Sequence, residues 1–307
     1  MSKEKISRVQ LRFEEALKSL AEKLEEDRNI LALLVSGSLS YDVVWEKSDI
    51  DLMIIAKDGK LKQAQKNLTL TEWDVNIHVW IEERSAFRKL VEASLRSSFI
   101  HSYFSKSKLV YSKDASLYDL YKDVELLGSR DQQSQVLAQA SFILPLIAKV
   151  EKFLYQKNDP RYAFIWFTYM YTGLAKICVN LAGEIAGREV IHQAMNHEAD
   201  FFRKIYTELI DLPKTETALE EALIAVDRFL TERIDRIFKP LLDFLSFQAR
   251  IKSATEIDSW AQQEWNIEGL IGACEWLADK EIIHRSSVPI RLTPSSLVEV
   301  EELAFYY

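Results

Sequence analysis

The chain has 307 residues, of which 48% are hydrophobic, and its formal net charge is −8 at pH 7. This length and apolar content fit two or three domains with substantial cores and exclude a disordered chain. The acidic balance argues against non-specific nucleic-acid binding, which requires many cations that face phosphates.

The sequence predicts a cytoplasmic protein without a membrane span. No run approaches the ~18 uncharged apolar residues that a membrane span requires. The first residues, MSKEKISRVQLRFEEAL, are charged throughout and lack the apolar core of a signal peptide. Cys178 and Cys274 lie in apolar helical segments without disulfide or zinc spacing, so we expect buried free thiols. The sequence leaves a homodimer open.

The first predicted elements are an amphipathic helix and a buried strand. Over residues 7–27 the apolar side chains recur at the helical period, so this helix should pack against a sheet. Residues 31–35 are a continuous apolar run, as expected of a strand buried on both faces. The run ends on Ser36-Gly37-Ser38. Gly37 lets the backbone turn sharply and approach a ligand, and Ser38 supplies a hydroxyl.

The second predicted strand, residues 48–55, carries two acids. Alternate side chains of a strand share a face, so Asp49 and Asp51 point the same way while the residues between them point into the core. Neighbouring carboxylates repel each other unless a cation lies between them, and carboxylates with substrate phosphates suit Mg²⁺. Solvated aspartates on an edge strand are the alternative, but Asp is depleted in strands. The pattern therefore favours a metal and phosphate site.

Gly37-Ser38, ten residues, and then Asp49-Ile50-Asp51 together resemble the signature of the nucleotidyltransferase superfamily, which has the DNA polymerase beta-like fold. The closest resemblance is to its small-molecule-modifying branch, the kanamycin nucleotidyltransferase type. The resemblance implies that Ser36-Gly37-Ser38 holds a nucleoside triphosphate, usually ATP. It also implies that the paired acids hold two Mg²⁺ ions, with Mn²⁺ as the alternative, and that a third acid lies on a neighbouring strand.

The third site residue is expected on the next predicted strand, residues 71–81, where apolar and polar residues alternate strictly. On its polar face Asp74 is the first candidate, as a metal ligand or as the base that takes a proton from the acceptor hydroxyl. Glu72 is a competing candidate, and His78 could be a base or a hydrogen-bonding group. Solvated polar residues are the plain alternative. The register against the strand with the two acids decides among them, and the sequence does not fix it.

The whole chain is predicted to be an α+β protein in three parts. Residues 1–115 form a nucleotidyltransferase catalytic domain, with a small mixed sheet and flanking helices. Residues 116–250 form a helical bundle on the acceptor-binding side. Within it, residues 161–183 are apolar almost all round, as in a helix buried among others.

Residues 251–307 form a winged-helix-like domain in this interpretation. Two helices precede a wing at residues 284–292, and a final helix is predicted to start at residues 293–296. A winged helix usually implies DNA binding. From Arg250 onward, however, acids outnumber bases about two to one. Packing or protein contact is therefore favoured over DNA.

Three functions follow. The leading one is a metal-dependent nucleotidyltransferase that moves an NMP group onto a hydroxyl or phosphate of a small-molecule acceptor. The resemblance implies AMP from ATP, because ATP is the commonest donor in the family. The second is a non-catalytic nucleotide-binding regulator that uses the winged-helix-like tail. The third is an antitoxin-like transferase that modifies a partner protein. The triad of acids, Asp49, Asp51 and Asp74, favours catalysis, because a sensor has little need for two metal-binding carboxylates on one face.

Overall fold

The structure is a computed structural model of the chain. It describes residues 3–37, 39, 45–61, 66–94, 107–124, 129–295 and 297–307. Ser38, one of the three predicted nucleotide-binding residues, lies outside the described residues. The chain divides into two compact units, residues 1–126 and residues 127–307.

The first unit is a five-stranded mixed sheet with helices on both faces. Its elements in chain order are α1 (Lys3–Glu25), β1 (Ile30–Ser36), β2 (Ile50–Ala56), β3 (Asn67–Glu72), β4 (Val75–Glu83), α2 (Arg84–Ser94), β5 (Lys108–Ser112) and α3 (Ala115–Val124). The strand order is β3-β4-β2-β1-β5. β2 and β4 are parallel, and all the other neighbours are antiparallel. The small mixed sheet with flanking helices that the sequence predicts is confirmed.

The two faces of this sheet belong to separate apolar cores. On one face Phe13 of α1 shares a core with Leu33 of β1 and Leu52 of β2. On the other face Phe87 of α2 shares a core with Leu34 of β1. Because successive strand residues alternate between the faces, each central strand contributes to both cores. β1 and β2 are buried over most of their length for this reason.

The single strand predicted over residues 71–81 is wrong. β3 and β4 form an antiparallel hairpin, and Glu72 pairs with Val75 across a two-residue turn made of Trp73 and Asp74. Both turn residues have positive φ, 52° and 58°. Positive φ at both central positions is the pattern of a type I′ turn, whose twist matches that of the flanking strands.

This turn carries residues that are poorly suited to it, so we expect replacement by Asn-Gly to stabilise the protein. Trp73 is 58% exposed and gains little from burial, while a bulky side chain at positive φ is strained. Trp73→Asn with Asp74→Gly should raise the free energy of unfolding by about 1 kcal/mol. Thermal melting measures the gain. Trp45→Asn is the matched control, because Trp45 is 56% exposed and is not among the positive-φ residues. An equal shift in both variants would mean that backbone strain is not the cause.

The second unit is mainly helical. Its helices are α4 (Ser129–Glu151), α5 (Pro160–Thr168), α6 (Tyr171–Leu181), α7 (Val190–Met195), α8 (Ala199–Phe202), α9 (Leu209–Asp211), α10 (Glu216–Thr231), α11 (Ile234–Ile237), α12 (Lys239–Ser246), α13 (Ala254–Trp260) and α14 (Ile271–Asp279), with π-helical segments at Lys152–Gln156, Arg203–Glu208 and Ala261–Trp265. A small sheet of order β6-β8-β7 combines β6 (Lys252–Ser253), β7 (His284–Ile290) and β8 (Val300–Tyr306).

One continuous core fills this unit. It includes Val136 on α4 and Phe305 on β8, so it extends to both sides of residue 250. The predicted domain boundary at that position stays a prediction. Cys178 and Cys274 are free and buried in this core, as expected, and burial raises the pKa of each thiol to about 12.

The end of the chain differs from the sequence prediction. The final helix predicted from residues 293–296 is wrong, because residues 300–306 form β8, which pairs with β6 and β7. Pairing with β6 and β7 places Ala304 and Phe305 in the core, and this burial outweighs the local helix-start signal. The winged-helix designation of residues 251–307 stays a prediction. Every helix in the described part of the chain is too short or too polar to cross a membrane.

Candidate nucleotide site

The candidate site lies across three neighbouring strands of the first sheet. Asp51 of β2 is level with Ser36 of β1 on one side and with His78 of β4 on the other. Ser36 is buried, and its hydroxyl donates to the backbone carbonyl of Asp51 at 3.4 Å. Asp49 and Asp51 alternate with core residues, as predicted, and they share the face on which α2 packs further along the sheet.

Gly37 brings the backbone directly against one of the acids. Its φ is 73°, and a Cβ atom at this position would lie 2.4 Å from Oδ2 of Asp51. Any side chain there would therefore have to displace the carboxylate. The turn after β1 and the acid of β2 form a close-fitting pair that only glycine allows.

His78 contacts the other acid. Its Nε2 lies 2.9 Å from Oδ2 of Asp49, and the two side chains are 51% and 48% exposed. On the other side of the ring, Nδ1 lies 3.4 Å from the hydroxyl of Thr69, the residue paired with His78 on β3. The imidazole is thus held between a hydroxyl and a carboxylate, and both remain accessible to a ligand.

Asp74 does not lie beside the two acids. It occupies the turn between β3 and β4, four residues before His78, which is on the order of 10 Å along a strand. The expected position on a strand face next to Asp49 and Asp51 is therefore not observed. The reason is the hairpin turn, which removes Asp74 from the sheet.

Glu72, the competing third acid, lies on the opposite face. Its carboxylate accepts from Nζ of Lys23 at 2.7 Å and from the hydroxyl of Ser19 at 2.8 Å, both on α1. The hydrogen bond from Lys23, with that from Ser19, lowers the pKa of Glu72. Glu72 therefore anchors α1 to the sheet and does not contribute to the face with the acids.

The strand beside β2 carries uncharged or basic groups where an acid was expected. Ile77 is level with Ile50, so Asn76 and His78 are the β4 residues nearest Asp49 and Asp51. In the described part of β4, this face presents no carboxylate beside them. Sequence reasoning named His78 only as a base or hydrogen-bonding group, and the register is the signal that it lacked.

A pocket of about 230 Å³ opens beside Asp51 on the β3–β4 side. Its described lining contains hydrogen-bonding and aromatic side chains but neither lysine nor arginine, and consists of Asp51, Leu52, Asn67, Leu68, Thr69, His78, Val79 and Trp80. Lys66, next in sequence to Asn67, is paired with Glu82 at 3.4 Å. The pocket therefore combines polar and apolar side chains and has neither lysine nor arginine in its described lining.

The donor set suits a divalent cation bound together with a nucleotide. No three or more His, Cys, Asp or Glu side chains of the described chain are grouped so that they alone could hold a metal ion. Mg²⁺, however, is commonly held by one or two carboxylates together with substrate phosphates. Asp49 and Asp51, of which Asp51 lies directly against the glycine turn, meet that requirement. The residues fit a metal–nucleotide complex better than a bare ion.

Comparisons with known proteins agree with this geometry. The family model described as Polymerase beta, Nucleotidyltransferase matches residues 18–116, which include both acids and Gly37. No curated protein sequence matches the chain significantly. Among solved structures, a nucleotidyltransferase-like protein from Exiguobacterium sibiricum is similar, with a TM-score of 0.61 and 14% identity over 95% of this chain and 98% of that one. Identity that low shows a shared fold and no more. The family match therefore supports the nucleotidyltransferase superfamily for the domain at residues 18–116.

Proposed function

We propose that this protein is a metal-dependent nucleotidyltransferase that moves an NMP group, AMP from ATP as the first choice, onto a hydroxyl of a small-molecule acceptor. The observation that carries the proposal is the fit of Gly37 against Asp51, 2.4 Å from a Cβ position that glycine leaves empty. A backbone turn so close to a carboxylate, inside a nucleotidyltransferase domain, suits a phosphate chain and its counter-ion.

Each site residue has a role in this proposal. Gly37 and Ser38 hold the β and γ phosphates, and Ser36 precedes them at the end of β1. Asp49 and Asp51 hold the metal, and Ser36 fixes the backbone of Asp51 through its hydrogen bond. A bound divalent cation would neutralise charge at the α-phosphate and on the attacking and leaving oxygens. Asp74 has no role here, because it lies in the hairpin turn.

The reaction is a simple displacement. The acceptor oxygen forms a bond to the α-phosphorus, and the bond from the α-phosphorus to the bridging β-phosphate oxygen breaks. Pyrophosphate leaves with that oxygen, and the hydroxyl proton passes to solvent. The chain's own contribution is to hold the triphosphate and the acceptor in line.

The pocket beside Asp51 supports a small acceptor. Its volume of about 230 Å³ and its hydrogen-bonding groups, including Asn67 and Thr69, suit a compact polar molecule. A polynucleotide acceptor would require cations that track its phosphates. The described pocket lining has neither lysine nor arginine, and the whole chain carries a net charge of −8.

Thermal melting with each NTP, with and without Mg²⁺, tests the proposal on the wild type and on the Asp49→Asn/Asp51→Asn variant. A ligand at 100 times its Kd stabilises the folded state by about 2.7 kcal/mol. This corresponds to a rise in melting temperature of roughly 5–10 °C for a protein of this size. We expect the rise to need both the metal and the two acids.

Asp74→Asn is the matched control for that experiment, since it removes one charge from the turn between β3 and β4, outside the proposed site. We expect its nucleotide-dependent shift to equal that of the wild type. A full shift in the variant that lacks both acids would show that Asp49 and Asp51 do not hold the metal. No shift of the wild type with any NTP would mean a degenerate site.

A nucleotide-binding regulator without catalysis is the second candidate. The position of Asn76 and His78 where an acid was expected on β4 favours it. In that case the protein would bind NTP as above but release no pyrophosphate with any acceptor. The tail, which we interpret as winged-helix-like, would then be the surface through which nucleotide binding is communicated.

A further inference from the structure

We propose that a groove along α10 in the second unit binds a compact carboxylate with an aromatic or branched apolar body. The groove has a volume of about 260 Å³ and lies between α10 and the segment made of α8 and the π-helical turn after it. Pockets for drug-sized ligands have volumes of roughly 300–1,000 Å³, so this groove suits a smaller molecule. Every residue of the groove lies in the second unit, so the inference does not depend on the nucleotide site.

The floor of the groove is aromatic and held in place. Phe201 and Phe229 stack, with ring centroids 4.4 Å apart and ring planes 6° from parallel. Arg233 lies over the Phe229 ring, 4.3 Å from its centroid. Ile224 lines the same groove and is 62% exposed. A ligand with an apolar body would therefore remove apolar surface from water both at the floor and at the side of the groove.

The side of the groove formed by α10 is a single helix face. Glu221, Ile224 and Arg228 are separated by three and four residues, so their side chains form a row along the helix. A ligand whose apolar body covers Ile224 would have its polar end near Glu221 or near Arg228. The charges of the groove decide between these two positions.

The acids of the groove already have cationic partners, whereas one of its cations does not have an acidic one. Four lining acids form ion pairs: Glu198 and Glu232 with Arg233, Glu221 with Lys204, and Asp200 with Arg203. Arg228 is exposed, and its guanidinium forms no ion pair within the described part of the chain. A guanidinium presents a planar fork of donors that matches a carboxylate. Arg228 is therefore the group that an anionic ligand would engage.

Methyl NMR of the full chain tests the proposal, with phenylpropionate as the probe. The Ile224 methyl signal, assigned with Ile224→Val, reports on the groove, because an aromatic ring bound beside it shifts its resonance. In the wild type we expect a saturable shift with a Kd on the order of 1 mM. Arg228→Gln should weaken binding about tenfold, because a charge-assisted hydrogen bond is lost. Arg161→Gln is the matched control and should bind like the wild type, since Arg161 is an exposed arginine of the same unit outside the groove.

Two matched compounds identify the chemical group that is recognised. Phenylpropionamide has the same ring without the charge, and phenylpropylamine has the opposite charge, which the four acids would favour if they controlled the groove. We expect both to bind about tenfold more weakly than phenylpropionate. Equal or tighter binding of either compound would overturn the proposal.

The same titrations contain two further results that would contradict a carboxylate site. One is an affinity of Arg228→Gln equal to that of Arg161→Gln. The other is an Ile224 methyl signal of the wild type that does not move with phenylpropionate up to about 10 mM. If Arg228→Gln does not fold, the comparison of the three compounds on the wild type decides alone.

Discussion

Gly37→Ala is expected to abolish stabilisation by nucleotide and metal and to destabilise the free protein. At a φ of 73° an alanine costs about 1–2 kcal/mol relative to glycine. Its Cβ would also lie 2.4 Å from Oδ2 of Asp51, so the carboxylate has to move out of the site. We expect the nucleotide-dependent rise in melting temperature to disappear, which thermal melting with ATP and Mg²⁺ measures.

Gly59→Ala separates the two effects of that substitution. Gly59 has a nearly equal φ of 70°, but nothing lies within 4 Å of its Cβ position. It therefore carries the same backbone cost without the clash. We expect Gly59→Ala to lower the melting temperature of the free protein and to leave the nucleotide-dependent rise intact. If the two alanine variants respond equally to nucleotide, the contact between Gly37 and Asp51 has no functional importance.

The part of the site on β1 and β2 could be predicted because it depends on local sequence patterns. An uninterrupted apolar run predicts a strand buried on both faces, and β1 is one. Period-two alternation places Ile50 and Leu52 in the core, where they are 0% and 1% exposed, and this fixes the face of Asp49 and Asp51. The remaining observation, the contact of Gly37 with Asp51, depends on pairing between strands.

The hairpin at Trp73 and Asp74 shows where local pattern fails. In one continuous strand, Glu72 and Asp74 would lie on the same face as His78, because even numbers of residues separate them. The two-residue turn changes this parity, because Glu72 and Val75 are paired across the turn and share the other face. Trp-Asp is not among the usual pairs of a type I′ turn, so no local pattern indicated a hairpin here. Because of this one turn, neither candidate for the third acid lies on the face that carries Asp49 and Asp51.

Long-range pairing accounts for the other differences. The register of β4 against β2 puts His78 level with Asp51, and no local pattern contains that information. In the same way β8 is a strand because β7 and β6 pair with it, although Pro294 and the serines beside it look like the start of a helix. Nonlocal hydrogen bonding therefore determines both that residues 300–306 form a strand and which β4 side chain lies beside Asp51.

Phe13→Ala is expected to be the most destabilising single change in the first unit. Phe13 is 1% exposed on α1 and belongs to the core with Leu33 and Leu52, directly beneath the strands that carry the site. Removing a buried aromatic ring costs about 3–5 kcal/mol, from lost burial and from the cavity that remains. Hydrogen exchange of β1 and β2 amides measures the loss, and each 1.4 kcal/mol corresponds to tenfold faster exchange.

Leu11→Ala on the same helix is the control for Phe13→Ala. Leu11 is 55% exposed, so its truncation should change the free energy of unfolding by no more than about 0.5 kcal/mol. Phe13 precedes residues 18–116, the part matched by the family. Strong destabilisation by Phe13→Ala alone would therefore show that the first half of α1 belongs to the same folding unit as the sheet. Equal exchange rates in the two variants would instead mean that the unit begins near residue 18 and that α1 packs only through its second half.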